Sequence, residues 1–253
     1  LYYADRLNQL PLGLVGIGIG TAILPSLSRQ LAEDQTEAAI HTQNRAIELA
    51  LFLTVPAAFG LVIASMPLIS ALLQHGAFSA SDSIHSAQAL TAFSLGLPAY
   101  VLIKILTPGF HARTDTRTPV RVAIIAMLLN LILNLLFIKP FGHVGLALST
   151  AIAAWANVIM LYGLLRHRNH FACDRQLFTR TIKIIIASLV MAAGLWPCLP
   201  WLNHMATGGV VYRIATLSLL LLFGSVLYFG TAALIGTFPL KEIKFYLQRR
   251  YKR

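Results

Sequence analysis

Two asparagines four residues apart, Asn130 and Asn134, interrupt an apolar run from Val122 to Ile138 that holds no charged residue. Four apart is one face of a helix, so both amides point the same way. Two readings are open. The amides hydrogen-bond to a neighbouring helix, worth about 1 kcal/mol in a membrane. Alternatively they offer oxygens to a cation, with Thr150 and a backbone carbonyl of the next apolar run completing a cage. Without a carboxylate such a cage binds weakly. Arg6 is the second candidate, placed after Asp5 at the head of the run Leu7–Ser28. It is an interfacial anchor or a local partner of Asp5, or its planar fork serves a phosphate or carboxylate inside a cavity. Lys104, near the end of a third run, is read as snorkelling, and Asn157 as helix packing.

Other chemistry is missing. Every histidine (His41, His75, His85, His111, His143, His167, His170, His204) falls in a loop or at the end of a run, and no carboxylate is central to one. A proton relay therefore has no carrier here. There is no phosphate-binding glycine loop, no H-E-x-x-H and no Cys/His ligand cluster. Asp115 stands alone in HARTDTRTPVR, too little for a divalent metal. Cys173 and Cys198 are expected on opposite faces and cannot pair. The expectation is a protein that is not an enzyme and needs no cofactor, a cation in the asparagine cage excepted.

The elements that position these residues follow from composition. Of 253 residues 57% are hydrophobic and 11% charged, against about 25% charged in soluble chains. The mean hydropathy is +0.71. With Lys+Arg 20 against Asp+Glu 9, the net charge is +11. This excludes a disordered tail, a disulfide-stapled module and a soluble enzyme. It also excludes a nucleic-acid partner, because the basic residues lie between apolar runs. The expectation is an all-α, polytopic transmembrane helical bundle, since nothing alternates in polarity as a membrane barrel strand must.

Seven stretches lack Asp, Glu, Lys and Arg: Leu7–Ser28, Leu49–Ser81, Ser83–Ile103, Val122–Ile138, Pro140–Leu165, Ile184–Tyr212 and Ile214–Leu240. About 20 apolar residues cross a bilayer, so each is read as one span. Loops after spans one, three and five and the tail carry two, three, five and six Lys/Arg, from Arg29 and Arg45 to the cluster Lys241–Arg253. The opposite side has Arg6, Lys139 and Arg213. That bias places the C-terminus in the cytoplasm. Span one then runs inward, which together with the start at Leu1 reads as a piece of a longer chain. The polar stretch Leu31–Leu49 is read as a cytoplasmic surface helix feeding span two. The basic tail 241–253, with Phe245, Tyr246 and Tyr251, suits an anionic leaflet. Gly13-x-Val15-Gly16-x4-Thr21-Ala22-Ile23 recurs as Gly142-x-Val144-Gly145-x4-Thr150-Ala151-Ile152, a spacing that lets backbones approach closely.

Four blocks in order, YYADRLNQLPLGLVGIGIGTAILPSLSRQ, HGAFSASDS, FHARTDTRTPVRVA and KPFGHVGLALSTAIAAW, resemble the signature of the lipid II flippase family (MurJ, also called MviN). They cover most of the first 165 residues; spans six and seven match by position and hydropathy. The resemblance implies a fourteen-helix transporter of the multidrug/oligosaccharidyl-lipid/polysaccharide exporter superfamily. This chain would be its second lobe (1–165), its C-terminal helix pair (166–240) and a cytoplasmic tail (241–253), with the N-terminal lobe missing. It implies translocation of lipid II, the lipid-linked peptidoglycan precursor, from the inner to the outer leaflet of the bacterial cytoplasmic membrane. Partners would be lipid II and membrane lipids. Arg6 stands where the family places a cavity arginine that contacts substrate. Ile184–Pro200 and Tyr212–Gly236 correspond to a groove for the polyprenyl tail. Asn130, Asn134, the Leu146 carbonyl and Thr150 fall at the places of a sodium site seen in some members, with Asn134 where a carboxylate can occur. Competing readings are an exporter of drugs or of another polyprenyl-linked glycan, a membrane-embedded enzyme of envelope synthesis, and a non-transporting envelope scaffold.

Overall fold

The structure is a computed structural model that describes residues 1–74 and 79–237, with nothing taken from the side chains at 14 and 17. The described residues form helices and no strand. Pro11 has no N–H to give the preceding turn, and glycines crowd the next ten residues. There α1 (Tyr2–Pro11) opens into a wide π-type segment, Leu12–Ile17, before continuing as α2 (Gly18–Ala32). π segments and kinks of this kind have such local causes.

Beyond this rod come α3 (Thr36–Ile63), a break at Ala64, and α4 (Ser65–Leu73). A capping box between Ser79 and Asp82 starts α5 (Ala80–Ser94), and Pro98 sits in the first turn of α6 (Leu97–His111). Then follow α7 (Arg117–His167), α8 (Arg175–Leu195), a short 3-10 turn, α9 (Leu199–Ala206) and α10 (Val210–Leu234). Among the described residues five stretches are long and apolar enough to cross a membrane: Thr36–Ile63, Ala80–His111, Arg117–His167, Arg175–Ala206 and Val210–Leu234.

The 51 residues of α7 would reach about 76 Å if straight. They do not, because Arg168 just past one end meets Asp115 just before the other at 2.6 Å. Gly142, at φ +55°, ψ −132°, turns the chain back on itself. Close by, a Cβ on Gly145 would come within 2.5 Å of the Phe137 carbonyl, so only glycine fits there. α7 is therefore an antiparallel hairpin with arms 117–141 and 143–167. Asp115 locks its open end: hydrogen bonds from Thr118 and then the Arg168 guanidinium hold its carboxyl well below the usual range.

Loops gather at two ends. At one, Arg45 of α3 pairs with Glu48 and Asp174, Arg180 of α8 pairs with Glu48, and Asn44 Nδ2 donates to the Ala172 carbonyl at 2.9 Å. At the other, a His143 ring nitrogen meets the His85 carbonyl at 3.1 Å, and Arg213 donates to the Gln74 carbonyl at 3.0 Å. This partition matches the alternation expected from the loops. The innermost helix is α6, with Leu97, Val101, Ile105, Leu106 and Phe110 almost wholly buried. Lipid is as apolar as leucine, so helix association relies on close approach and buried hydrogen bonds. Fully buried Ala50, Ala89, Ala99, Ala147 and Ala187 provide the first; Tyr228, donating to the Phe52 carbonyl at 2.6 Å, is an example of the second.

Three expectations change. The polar stretch Leu31–Leu49 does feed span two, since α3 runs unbroken from Thr36, but it is not a surface: Gln43, Asn44 and Glu48 are buried. Their partners, the Ile105 carbonyl, the Ala172 carbonyl and Arg180, lie far away in sequence. The boundary between spans six and seven lies at 207–209, and Arg213 sits within α10. Backbone carbonyls accept its protons there, so the charge does not force a loop. The stretch Leu49–Ser81 is divided at Ala64. The end of the seventh stretch beyond Thr237 and the basic tail 241–253 lie outside the described residues.

Candidate functional site

Most exposed positions of this bundle are apolar, as a lipid-facing surface requires. The rod Tyr2–Ala32 is different. One side carries Tyr2, Tyr3, Arg6, Gln9, Gly18, Thr21 and Ser28 exposed, together with Leu10, Ala22 and Pro25. The opposite side, with Ala4, Asn8, Val15, Ile23 and Leu27, is buried. Such a polar stripe along a helix of membrane length would be costly against hydrocarbon.

Arg6 stands on that stripe. Its Nε donates to the Tyr2 hydroxyl at 3.2 Å, and the guanidinium carbon lies 5.1 Å from the centre of the Tyr2 ring. Tyr2 is one turn back on the same face. Asp5, its neighbour in sequence, is engaged by Gln9 instead. Thus the local Asp5–Arg6 pair does not form. Among the described residues Arg6 has no ion-pair partner, and its two terminal nitrogens have no hydrogen-bond acceptor. Its fork is held at the root and open at the tip, the arrangement that suits bidentate binding of a phosphate.

Lys104 does more than snorkel. Its stem crosses the rod where a Cβ on Gly16 would meet its Cδ at 3.0 Å, and a Cβ on Gly20 would meet its carbonyl at 3.3 Å. The first copy of the glycine repeat thus receives a helix, and the second forms the hairpin turn of α7. The copies share close approach but not geometry: only Gly142 has positive φ.

The asparagine pair lies on the first arm of α7. Oδ1 of Asn130 and Oδ1 of Asn134 are both buried with no hydrogen-bond partner among the described residues. On the second arm, Thr150 donates its hydroxyl proton to the Leu146 carbonyl at 2.9 Å. The contact of Gly145 with Phe137 makes residues equally distant from Phe141 share a depth. Thr150 then falls level with Ile132, between Asn130 and Asn134. Orphaned carbonyl oxygens facing no donor, with a hydroxyl oxygen at the same depth, fit a hard monovalent cation. No carboxylate joins them, and no cluster of three or more His, Cys, Asp or Glu exists among the described residues.

Three further residues carry only weak sequence signals. Asn8 is 2% exposed with an unpartnered Oδ1; its place one turn from Arg6's neighbours was the available clue. Asn157 has an unpartnered Oδ1 as well and stands seven residues after Thr150, on the same helix face. Tyr2 was legible only as the residue four before Arg6.

Comparison with known proteins completes the picture. A family model described as Lipid II flippase MurJ matches residues 1–219. The Probable lipid II flippase MurJ of Rhizobium tropici is 38% identical, over 99% of this chain and 47% of its own length. The Lipid II flippase MurJ of Burkholderia cenocepacia is 32% identical, over 92% and 46%. A solved structure, Lipid II flippase MurJ in an inward closed conformation, superposes with a TM-score of 0.74 at 28% identity, covering 92% of this chain and 46% of that one. The chain spans about half the length of the curated relatives it matches.

Proposed function

The chain belongs to the MurJ family of lipid II flippases, and on that premise we propose that it forms the C-terminal part of a lipid II transporter. It works with an upstream lobe of the kind its longer relatives contain. Seven spans, the last two being α8 continuing into α9 and then α10, sit in the bacterial cytoplasmic membrane with the end bearing Arg45, Asp115 and Asp174 in the cytoplasm. Lipid II moves from the inner to the outer leaflet by alternating access.

The observation that carries this reading is Arg6: a guanidinium on the polar side of a membrane-length rod, tethered by Tyr2 and otherwise unpaired among the described residues. A diphosphate headgroup cannot enter hydrocarbon without a compensating charge. Arg6 supplies that charge while the apolar tail stays in lipid, and the exposed Gly18 and Thr21 on the same side leave room for sugars. No bond is made or broken, in keeping with the lack of catalytic groups in the sequence. An inside-negative potential favours outward movement of the anion by about 2.3 kcal/mol per charge per 100 mV. The test is complementation by the full-length protein. Arg6→Ala inserts at normal levels and does not restore growth to cells depleted of their flippase, whereas Arg6→Lys restores it in part. Normal growth with Arg6→Ala defeats the reading.

Sodium is the second element of the proposal. Asn130, Asn134, Thr150 and the Leu146 carbonyl would hold it between the two arms of α7, supported by the unpartnered amide oxygens. The ion would supply the positive charge on which these oxygens converge. Lacking a carboxylate among them, the arms bind it weakly. Thermal unfolding of purified full-length protein in sodium against choline chloride reads this out without transport. A sodium-dependent rise in Tm is expected, increased by Asn134→Asp and abolished by Thr150→Val. Equal melting in both salts for the wild type and Asn134→Asp overturns it.

A further inference from the structure

We propose that the outer end of the bundle holds a structural phospholipid, an anionic glycerophospholipid whose phosphate is neutralised by Arg213 and whose acyl chain fills the cleft between α4 and α10. The proposal is independent of the role given to Arg6.

The cleft has a volume of about 450 Å³ and is lined by Ala71 and Leu72 of α4 and by Val210, Arg213, Ile214 and Leu217 of α10. That size lies within the range of about 300–1,000 Å³ usual for small-molecule sites. Five of the six lining side chains are aliphatic. Leu72, Val210 and Ile214 are exposed, so the cleft opens sideways, where acyl chains lie once the bundle is in a bilayer. Its single polar wall is a cation. An amphipathic cleft with one positive end calls for an amphipathic anion.

Arg213 is held in place for this. Nε donates to the Gly208 carbonyl and one terminal nitrogen to the Gln74 carbonyl, both at 3.0 Å. Those carbonyls fix the guanidinium but do not neutralise it, and no carboxylate pairs with it among the described residues. Its remaining terminal nitrogen has no acceptor there. A guanidinium in the first turn of α10, with no carboxylate beside it, suits the phosphate that the surrounding leaflet provides at that level. Arg213 is also one of only three cations expected on the side that the charge bias leaves poor in Lys and Arg, so it is not part of the topogenic pattern. A lipid wedged here would splint the start of α10 to the end of α4.

Native mass spectrometry of the full-length protein, released from micelles containing phosphatidylglycerol or phosphatidylcholine, tests the site. Wild type retains one tightly bound phosphatidylglycerol and exchanges it at least tenfold more slowly than phosphatidylcholine. Two variants each lose that lipid: Arg213→Gln, which removes the charge, and Leu217→Trp, which fills the cleft without touching a hydrogen bond. Should Arg213→Gln loosen the helix start, Leu217→Trp and Arg213→Lys (expected to retain the lipid) decide. Retention by both Arg213→Gln and Leu217→Trp overturns the proposal. So does loss with Arg213→Gln alone, which would mean headgroup attraction without a cleft, and so does stoichiometric displacement by a polyprenyl diphosphate, which would give the cleft to the transported lipid.

Discussion

The rod Tyr2–Ala32 and the first arm of α7 both leave one side uncovered, yet they expose opposite kinds of surface. The rod shows Arg6, Gln9, Gly18, Thr21 and Ser28. The arm shows Val120, Ile124, Ile125, Leu128, Leu131, Ile132, Leu135 and Leu136, every one aliphatic and about half exposed or more. In water such an arm would be an aggregation patch; in a bilayer it is already solvated, by chains that resemble it. Exposure in a membrane bundle therefore carries no meaning until composition assigns the solvent. By that criterion the rod's surface suits water and the arm's suits lipid, although both have the length of a span. Asn130 and Asn134, the two polar residues of the arm's run Val122–Ile138, strengthen the contrast, because their amide oxygens are buried and turned away from its aliphatic side.

The sharpest way to break this contrast is to place the same charge on each face. Leu131→Arg, at the middle of the arm, brings an ion into hydrocarbon at about 2.5–3.5 kcal/mol on insertion scales. Thr21→Arg, near the middle of the rod, adds a second cation to a wet stripe. Insertion and accumulation of the full-length protein, measured by protease accessibility and membrane yield, are expected to fall severalfold for Leu131→Arg and to stay near wild type for Thr21→Arg. Equal losses would mean that both faces meet lipid, and the polar stripe would then no longer mark a passage.

The hairpin and the rod differ also in how far the sequence discloses them. The arms of α7 are legible: KPFGHVG supplies a proline and two glycines between apolar runs, and the close contact of Gly145 with the Phe137 carbonyl explains why a side chain cannot stand there. The spacing of Asn130 and Asn134 was equally readable, since it is a property of one helix. What stayed hidden depends on distant partners. Gln43, Asn44 and Glu48 look like a surface stretch until α6 and α8 arrive to bond them. Arg213 looks like a loop marker until Gly208 and Gln74 offer carbonyls. The widened turn at Leu12–Ile17 has no signature beyond Pro11 and its glycines. Arg6 was recognisable by residue type, but whether its partner would be Asp5 or Tyr2 was a matter of rotamers on one helical turn.

That last distinction permits a smaller and finer test of the wet face. Tyr2 does two things for Arg6: its hydroxyl accepts from Nε, and its ring lies under the guanidinium. A cation over an exposed aromatic ring is worth about 0.5–1 kcal/mol, and a hydrogen bond in the open about the same. Tyr2→Phe removes only the hydroxyl; Tyr2→Ala removes both. If the stripe is a passage in which Arg6 must be held before it meets a diphosphate, lipid II turnover by the full-length protein should fall about twofold to fivefold for Tyr2→Phe and further for Tyr2→Ala. The loss should appear in the apparent affinity for lipid II more than in the maximal rate, because a tether of this sort lowers the entropy cost of binding. Insertion should not change, since Tyr2 is exposed and fills no core. A face turned towards lipid would behave differently. There the hydroxyl would be the polar liability, and Tyr2→Phe would raise membrane yield while leaving turnover untouched. The two faces thus predict opposite signs for removal of a single oxygen atom.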